Sequence, residues 1–118
     1  MIGDYNLEVL KKALDASAMR QSAISDNIAN VNTKDYKSKQ VIFEEELVKA
    51  LQSQRSLENI EPYIVEKTTG SLNSNGNNVD LETEMVNMAK NQLYYNTLVQ
   101  MTTKRISVMR YVISEGSR

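Results

Sequence analysis

The sequence predicts an all-α chain in which two long terminal helices pack as an antiparallel, coiled-coil-like hairpin. Three observations carry that expectation. Apolar residues recur at alternating spacings of three and four near each end of the chain. The composition between those segments shifts to turn formers, and the one proline falls there. The expected division is a helix over 6–31, an irregular and partly disordered middle over 32–79 and a second helix over 80–115, within one domain spanning 1–118.

The N-terminal stripe reads Leu7, Leu10, Leu14, Ser17, Gln21, Ile24, Ile28 and Val31. Six of these eight positions are apolar, the heptad pattern of a helix lying along a partner helix. Ser17 and Gln21 interrupt it at adjacent seam positions. Ala13, Ala16, Ala18, Ala23 and Ala29 raise helix propensity and keep the helix slim.

The C-terminal segment opens on Asn77-Asn78-Val79-Asp80, with Asp80 as the expected N-cap and Glu82 and Glu84 in the first turn, where the helix dipole favours negative charge. The same spacing gives Leu81, Met85, Met88, Gln92, Tyr95, Val99, Thr102, Ile106, Met109 and Ile113 as its seam, eight of the ten apolar or aromatic. Gln92 and Thr102 are the polar interruptions. Gly116 is the expected stop.

In the middle, Asn32, Thr33 and Asp35 suit the turn that ends the first helix. Residues 40–51 suit a short helix with Phe43 and Leu47 on one face, and Tyr63-Ile64-Val65 an extended piece just after Pro62. The run from Gly70 to Asn78 reads as a mobile polar loop, too hydrophilic to order itself. Two helices with one seam each bury only a thin line of side chains. Each fully buried Leu, Ile or Met contributes roughly 1.5–3 kcal/mol, against about 1–2 kcal/mol of backbone entropy for every ordered residue. The physics favours a chain that assembles or needs a partner.

Composition narrows the chemistry. The net charge of -1, from 14 Lys and Arg against 15 Asp and Glu, gives no field to hold nucleic acid. Cysteine and histidine are both absent, which removes disulfides, the commonest general base, the commonest transition-metal ligand and the most reactive nucleophile. No catalytic residue, metal ligand, cofactor or small-molecule substrate is expected. Glu44-Glu45-Glu46 point in different directions on a helix and read as a solvated face, not an ion site. The N-terminus lacks a basic segment followed by an apolar core, so no cleaved signal peptide is expected.

Ile24 to Lys37 reads Ile-Ser-Asp-Asn-Ile-Ala-Asn-Val-Asn-Thr-Lys-Asp-Tyr-Lys. This resembles the N-terminal signature of the flagellar rod and hook axial proteins, in which Asn-Ile-Ala-Asn is followed by Asn/Asp-Thr and an aromatic-basic pair. Here those positions are Asn27, Ile28, Ala29 and Asn30, then Asn32 and Thr33, then Tyr36 and Lys37. The family usually carries Pro or Gly between the Thr and the aromatic residue, where this chain has Lys34 and Asp35. Gly76 to Met85, followed by Ala89-Lys90-Asn91-Gln92-Leu93-Tyr94-Tyr95, is similar to the short proximal-rod members, which lack inserted outer domains.

The resemblance implies a structural subunit of the flagellar basal-body rod, exported across the inner membrane without a cleaved signal. Its helices would form an antiparallel layer lining an axial channel. The implied partners are other copies of the chain, other rod proteins, the junction between rod and MS ring, and the flagellar type III export apparatus. It also implies an export-gate motif, Phe-x-x-x-hydrophobic, matched by Phe43 and Leu47, whose residue-level reading is simply the buried face of a short helix. A soluble helical-hairpin adaptor or chaperone-like binding protein is the alternative; it predicts a well-folded monomer or dimer and no filament.

Overall fold

A computed structural model describes the backbone of residues 2–116, with side chains from residue 7. The elements in chain order are α1 (Ile2–Ala29), β1 (Lys39–Ile42), α2 (Glu44–Gln52), β2 (Tyr63–Glu66) and α3 (Leu81–Gly116). Both long helices stand where the periodicity places them, α1 beginning four residues earlier than expected. They run antiparallel: Ser17 meets Asn91, and Asn27 meets Glu84. The molecule measures 68 × 29 × 15 Å with a radius of gyration of 18.2 Å. A compact chain of this length would have a radius near 13–14 Å, so this one is a slender rod.

The middle is more ordered than its composition suggests, and all-α is only approximate. Strands β1 and β2 form a two-stranded antiparallel sheet in which Lys39 faces Glu66 and Val41 faces Ile64. Opposite charges and β-branched residues across the ladder favour that register. Residues 40–42, expected in the short helix, therefore belong to a strand. Helix α2 begins only after Phe43, with Glu44, Glu45 and Glu46 in its first turn, where the dipole favours them. It ends in a Schellman motif: Gln54 takes a φ of 56°, Arg55 N donates to Ala50 O and Gln54 N to Leu51 O.

The core is small and rich in alanine. Leu10, Ala13, Ala16, Ala23, Val41, Phe43 and Leu98 form it, with Leu14, Met19, Leu47, Ile60 and Tyr94 packed against it. Small side chains let α1 and α3 approach closely, at the cost of little apolar area removed from water. Lys12 fastens the loop before β2. Its ammonium donates to Leu57 O at 3.1 Å and Glu58 O at 2.8 Å and pairs with Glu61 at 3.0 Å.

Candidate assembly interface

Two features distinguish this fold: a buried polar junction where the two motif segments meet, and an apolar stripe that α3 turns outward. The junction centres on Asn27, which is fully buried near the end of α1. Its amide donates to Lys39 O at 2.9 Å and Glu84 Oε1 at 3.0 Å; its carbonyl accepts from Lys39 N at 2.8 Å and the Tyr36 hydroxyl at 3.0 Å. Both donors and both acceptor positions are used, so the burial leaves nothing unsatisfied. Burial, with nearby carboxylates adding to it, raises the pKa of Tyr36 and keeps its proton available for this bond.

The run from Gly70 to Asn78 is pinned here at its far end, contrary to the expectation of a mobile loop. Asn77 is fully buried, and its amide donates to Asn30 O at 2.8 Å and Thr33 O at 2.7 Å while its carbonyl accepts from Val79 N. Asn78 bridges Ser38 N and Lys67 O, each at 2.7 Å. Lys37 donates to Gly76 O at 2.6 Å. The loop buries no large apolar side chain; its order comes from side-chain amides matched to main-chain groups of the α1–β1 turn and of Lys67 just after β2.

That turn explains two unusual residues. Asp35 has a φ of 59°, the left-handed region that favours glycine but that Asp tolerates better than most side chains. It occupies the stretch where the resembling family usually carries Gly or Pro. Gly76, with a φ of 83°, lies directly against it, and a Cβ there would collide with the Asp35 carboxylate.

The contact between α1 and α3 is polar at its middle. Ser17 Oγ donates to Asn91 Oδ1 at 3.0 Å, and the Asn91 amide donates to Ser17 O at 2.9 Å and Gln21 Oε1 at 3.3 Å. Glu84, Asn91 and Leu98, at heptad spacing, are the buried side chains of α3. Beside this line, Arg20 binds Glu44 at 2.7 Å, and the Tyr94 hydroxyl donates to the same carboxylate at 3.1 Å. Burial opposes ionisation of Glu44, but the hydrogen bond and charge of Arg20, helped by Tyr94, outweigh it and hold the pKa below the ordinary value. Burial and the adjacent Glu44 charge push Tyr94 up to about 12. The reading of Glu44 as part of a solvated face is thereby corrected; Glu45 is exposed, and Glu46 lies near Lys49 at the surface.

The expected seam of α1 lies inward: Leu10 and Ile24 are buried, and Leu7, Leu14, Ile28 and Val31 are half-buried. The expected seam of α3 faces α1 only in part, with Thr102 among its half-buried positions. Leu81, Met85, Tyr95, Val99, Ile106 and Ile113 are exposed, Ile113 to 69%, and so is Gln92; Met88 and Met109 are half-buried. The inward face is displaced by about one residue, roughly 100° around the helix. Hydrogen bonding decides the rotation. With Leu81 and Met85 turned inward, Asn27 and Ser17 would lose Glu84 and Asn91, and each stranded polar group costs about 1–3 kcal/mol.

Of the remaining signature residues, Ala29, Asn32 and Thr33 are exposed, Thr33 bonding Asn30 Oδ1, while Tyr36 and Lys37 are half-buried. Phe43 is a core residue, 1% exposed, with Leu47 half-buried beside it. Asn91, Ser38 and Lys12 are not expected from the sequence as buried bonding residues, and Glu84 is expected there only as a first-turn carboxylate. The heptad line of Glu84, Asn91 and Leu98 was the available signal, masked by the stronger apolar stripe next to it. Among the described residues, no three acidic side chains converge on one point, and no helix is long and apolar enough to cross a membrane.

Residues 7–37 match the family model described as flagella basal body rod protein. The chain is 32% identical to the flagellar basal body rod protein FlgB of Bacillus subtilis, over 93% of this chain and 94% of that one. It is 28% identical to FlgB of Borrelia hermsii over 95% of this chain and 98% of that one. It is 27% identical to FlgB of Escherichia coli over 97% and 96%.

Proposed function

Because this chain belongs to the FlgB family of flagellar basal body rod proteins, and is thus a structural subunit of the rod, we propose that the outward stripe of α3 is its principal assembly surface. The observation that carries this reading is the division of labour between faces. The buried side chains of α3 are Glu84, Asn91 and Leu98, two of the three polar, while Leu81, Met85, Tyr95, Val99, Ile106 and Ile113 stay exposed. Such a stripe is costly in water and gains its stabilisation when another helix covers it. Its occupants are further copies of the chain and other axial proteins, including those at the junction with the MS ring, with the helix pairs forming an antiparallel layer around the channel. Gln92, the polar interruption in the stripe, then sets register between subunits.

Export as an unfolded chain is compatible with the same fold. Phe43 is covered in the folded chain, so an export apparatus reading Phe43 and Leu47 meets them before folding. A Phe43→Ala chain should be secreted less by cells whose hook is deleted, whereas unchanged secretion with lowered stability would make Phe43 a packing residue alone. The chain contains no cysteine, so single cysteines introduced at Met85 and Val99 report their neighbours cleanly. They should crosslink to axial proteins in purified basal bodies, and a cysteine at Glu45 should crosslink less. Equal crosslinking at all positions would contradict the assignment of the stripe. A soluble adaptor is not favoured, since the relatives over nearly the whole chain are rod proteins.

A further inference from the structure

The chain contains one Asn–Gly step, Asn75–Gly76, and it lies inside the polar junction. Such a step is chemically labile because glycine has no Cβ to obstruct its own main-chain nitrogen. In an open chain the Gly76 nitrogen loses its proton and attacks Asn75 Cγ. A C–N bond forms, the side-chain nitrogen leaves as ammonia, and a succinimide remains. Water then opens that ring at either carbonyl, leaving aspartate or isoaspartate.

We propose that Asn75 is a spontaneous deamidation site that folding shuts, so that its modification records how long the chain has been unfolded. Groups on both sides of the reacting bond are held. Gly76 N donates to Asn73 O at 2.9 Å, which opposes loss of its proton and fixes its direction. Asn75 Oδ1 accepts from Asn77 N at 3.1 Å, and Asn75 O accepts from Asp35 N at 3.0 Å. Gly76 O accepts from Lys37, and Asp35 sits against the Gly76 Cα. Ring closure needs Gly76 N freed from Asn73 O and brought onto Asn75 Cγ, whose amide oxygen is held by Asn77 N. The reaction therefore proceeds only through local opening of the junction. Isoaspartate adds a methylene to the main chain within this network, and either product places a new carboxylate close to Asp35.

The test is to incubate the full chain at neutral pH in native buffer and in unfolding urea, and to follow the amide-to-carboxylate mass gain at Asn75 by peptide mapping. Deamidation in native buffer should be slower by at least about tenfold; equal rates would overturn the proposal. Asn77→Ala keeps the Asn75–Gly76 step but removes the bonds to Asn30 O and Thr33 O that seat the loop. If this variant remains helical, its rate in buffer should rise severalfold, and an unchanged rate would overturn the proposal. If it unfolds, its rate in buffer should equal its rate in urea, and a slower one would overturn it.

Discussion

The two halves of α3 solve opposite problems. From Leu81 to about Leu98 the helix lies against α1 and the α1–β1 turn, held by Asn27–Glu84 and Ser17–Asn91. Beyond Leu98 it carries Val99, Met101, Ile106, Val108, Tyr111, Val112 and Ile113 at the surface. Both halves carry apolar side chains outward, Leu81, Met85, Val86, Leu93 and Tyr95 in the first, but only the first half has buried polar groups, Glu84 and Asn91, turned inward. Hydrogen bonds are directional and costly to leave unmade, so they fix one rotation and one register within the chain. Apolar contact is non-directional, which suits the proposed assembly surface.

That contrast breaks most easily at Asn27. Asn27→Ala strands the Lys39 main chain, Glu84 and Tyr36 together, and should cost about 3 kcal/mol or more in urea unfolding of the isolated chain. A loss below about 1 kcal/mol would mean that water replaces the amide without penalty. Next in size is Gly76→Ala, which combines an unfavourable left-handed φ with a collision against Asp35 and should cost about 2–3 kcal/mol. Gly70→Ala is its control. That glycine also has a positive φ, 99°, but meets only the flexible end of Lys67, and the loss should be about 1 kcal/mol.

The Arg20–Glu44 pair contributes less. The Glu44 side chain is 38% exposed, so solvent screening keeps the pair near the low end of ion pairs, about 0.5–1 kcal/mol. Its pKa is lowered by folding, so its contribution is present above the ordinary value of 4.5 and is lost as pH falls through the folded value. Arg20→Met should therefore be less stable than the parent at neutral pH, and the gap should close as pH drops below 4.5. A gap independent of pH would assign the Arg20 effect to packing of its stem.

Smallest of all should be charge on the stripe. Val99→Asp or Ile113→Asp should change the stability of the isolated chain by less than about 0.5 kcal/mol, yet abolish motility. A large loss of stability would show that the stripe already has a partner within one chain.

The existence and approximate course of α1 and α3, the Asp80 N-cap that receives Thr83 N at 3.2 Å, and the extended piece at Tyr63 were legible from local pattern, while α1 starts four residues earlier and ends two residues sooner than expected. These depend on residues near one another in sequence. The inward face of α3 was not legible, because periodicity marks where apolar residues lie and not which partner covers them. Asn91 turns inward because Ser17 and Gln21 await it across 74 and 70 positions of chain. The order of the Gly70–Asn78 run was hidden for a similar reason: Asn77 and Asn78 look like solvent-loving turn formers until Asn30 O, Thr33 O, Ser38 N and Lys67 O are placed around them.

Hydrogen exchange along α3 of the isolated chain, followed amide by amide, tests the division between its halves most directly. Protection should be strong from Glu84 to Leu98, where the polar seam holds the helix. It should fall from Val99 onward, where among the described residues α3 has no buried side chain beyond Leu98. Protection that is uniform from Leu81 to Ile113 in a verified monomer would contradict the account.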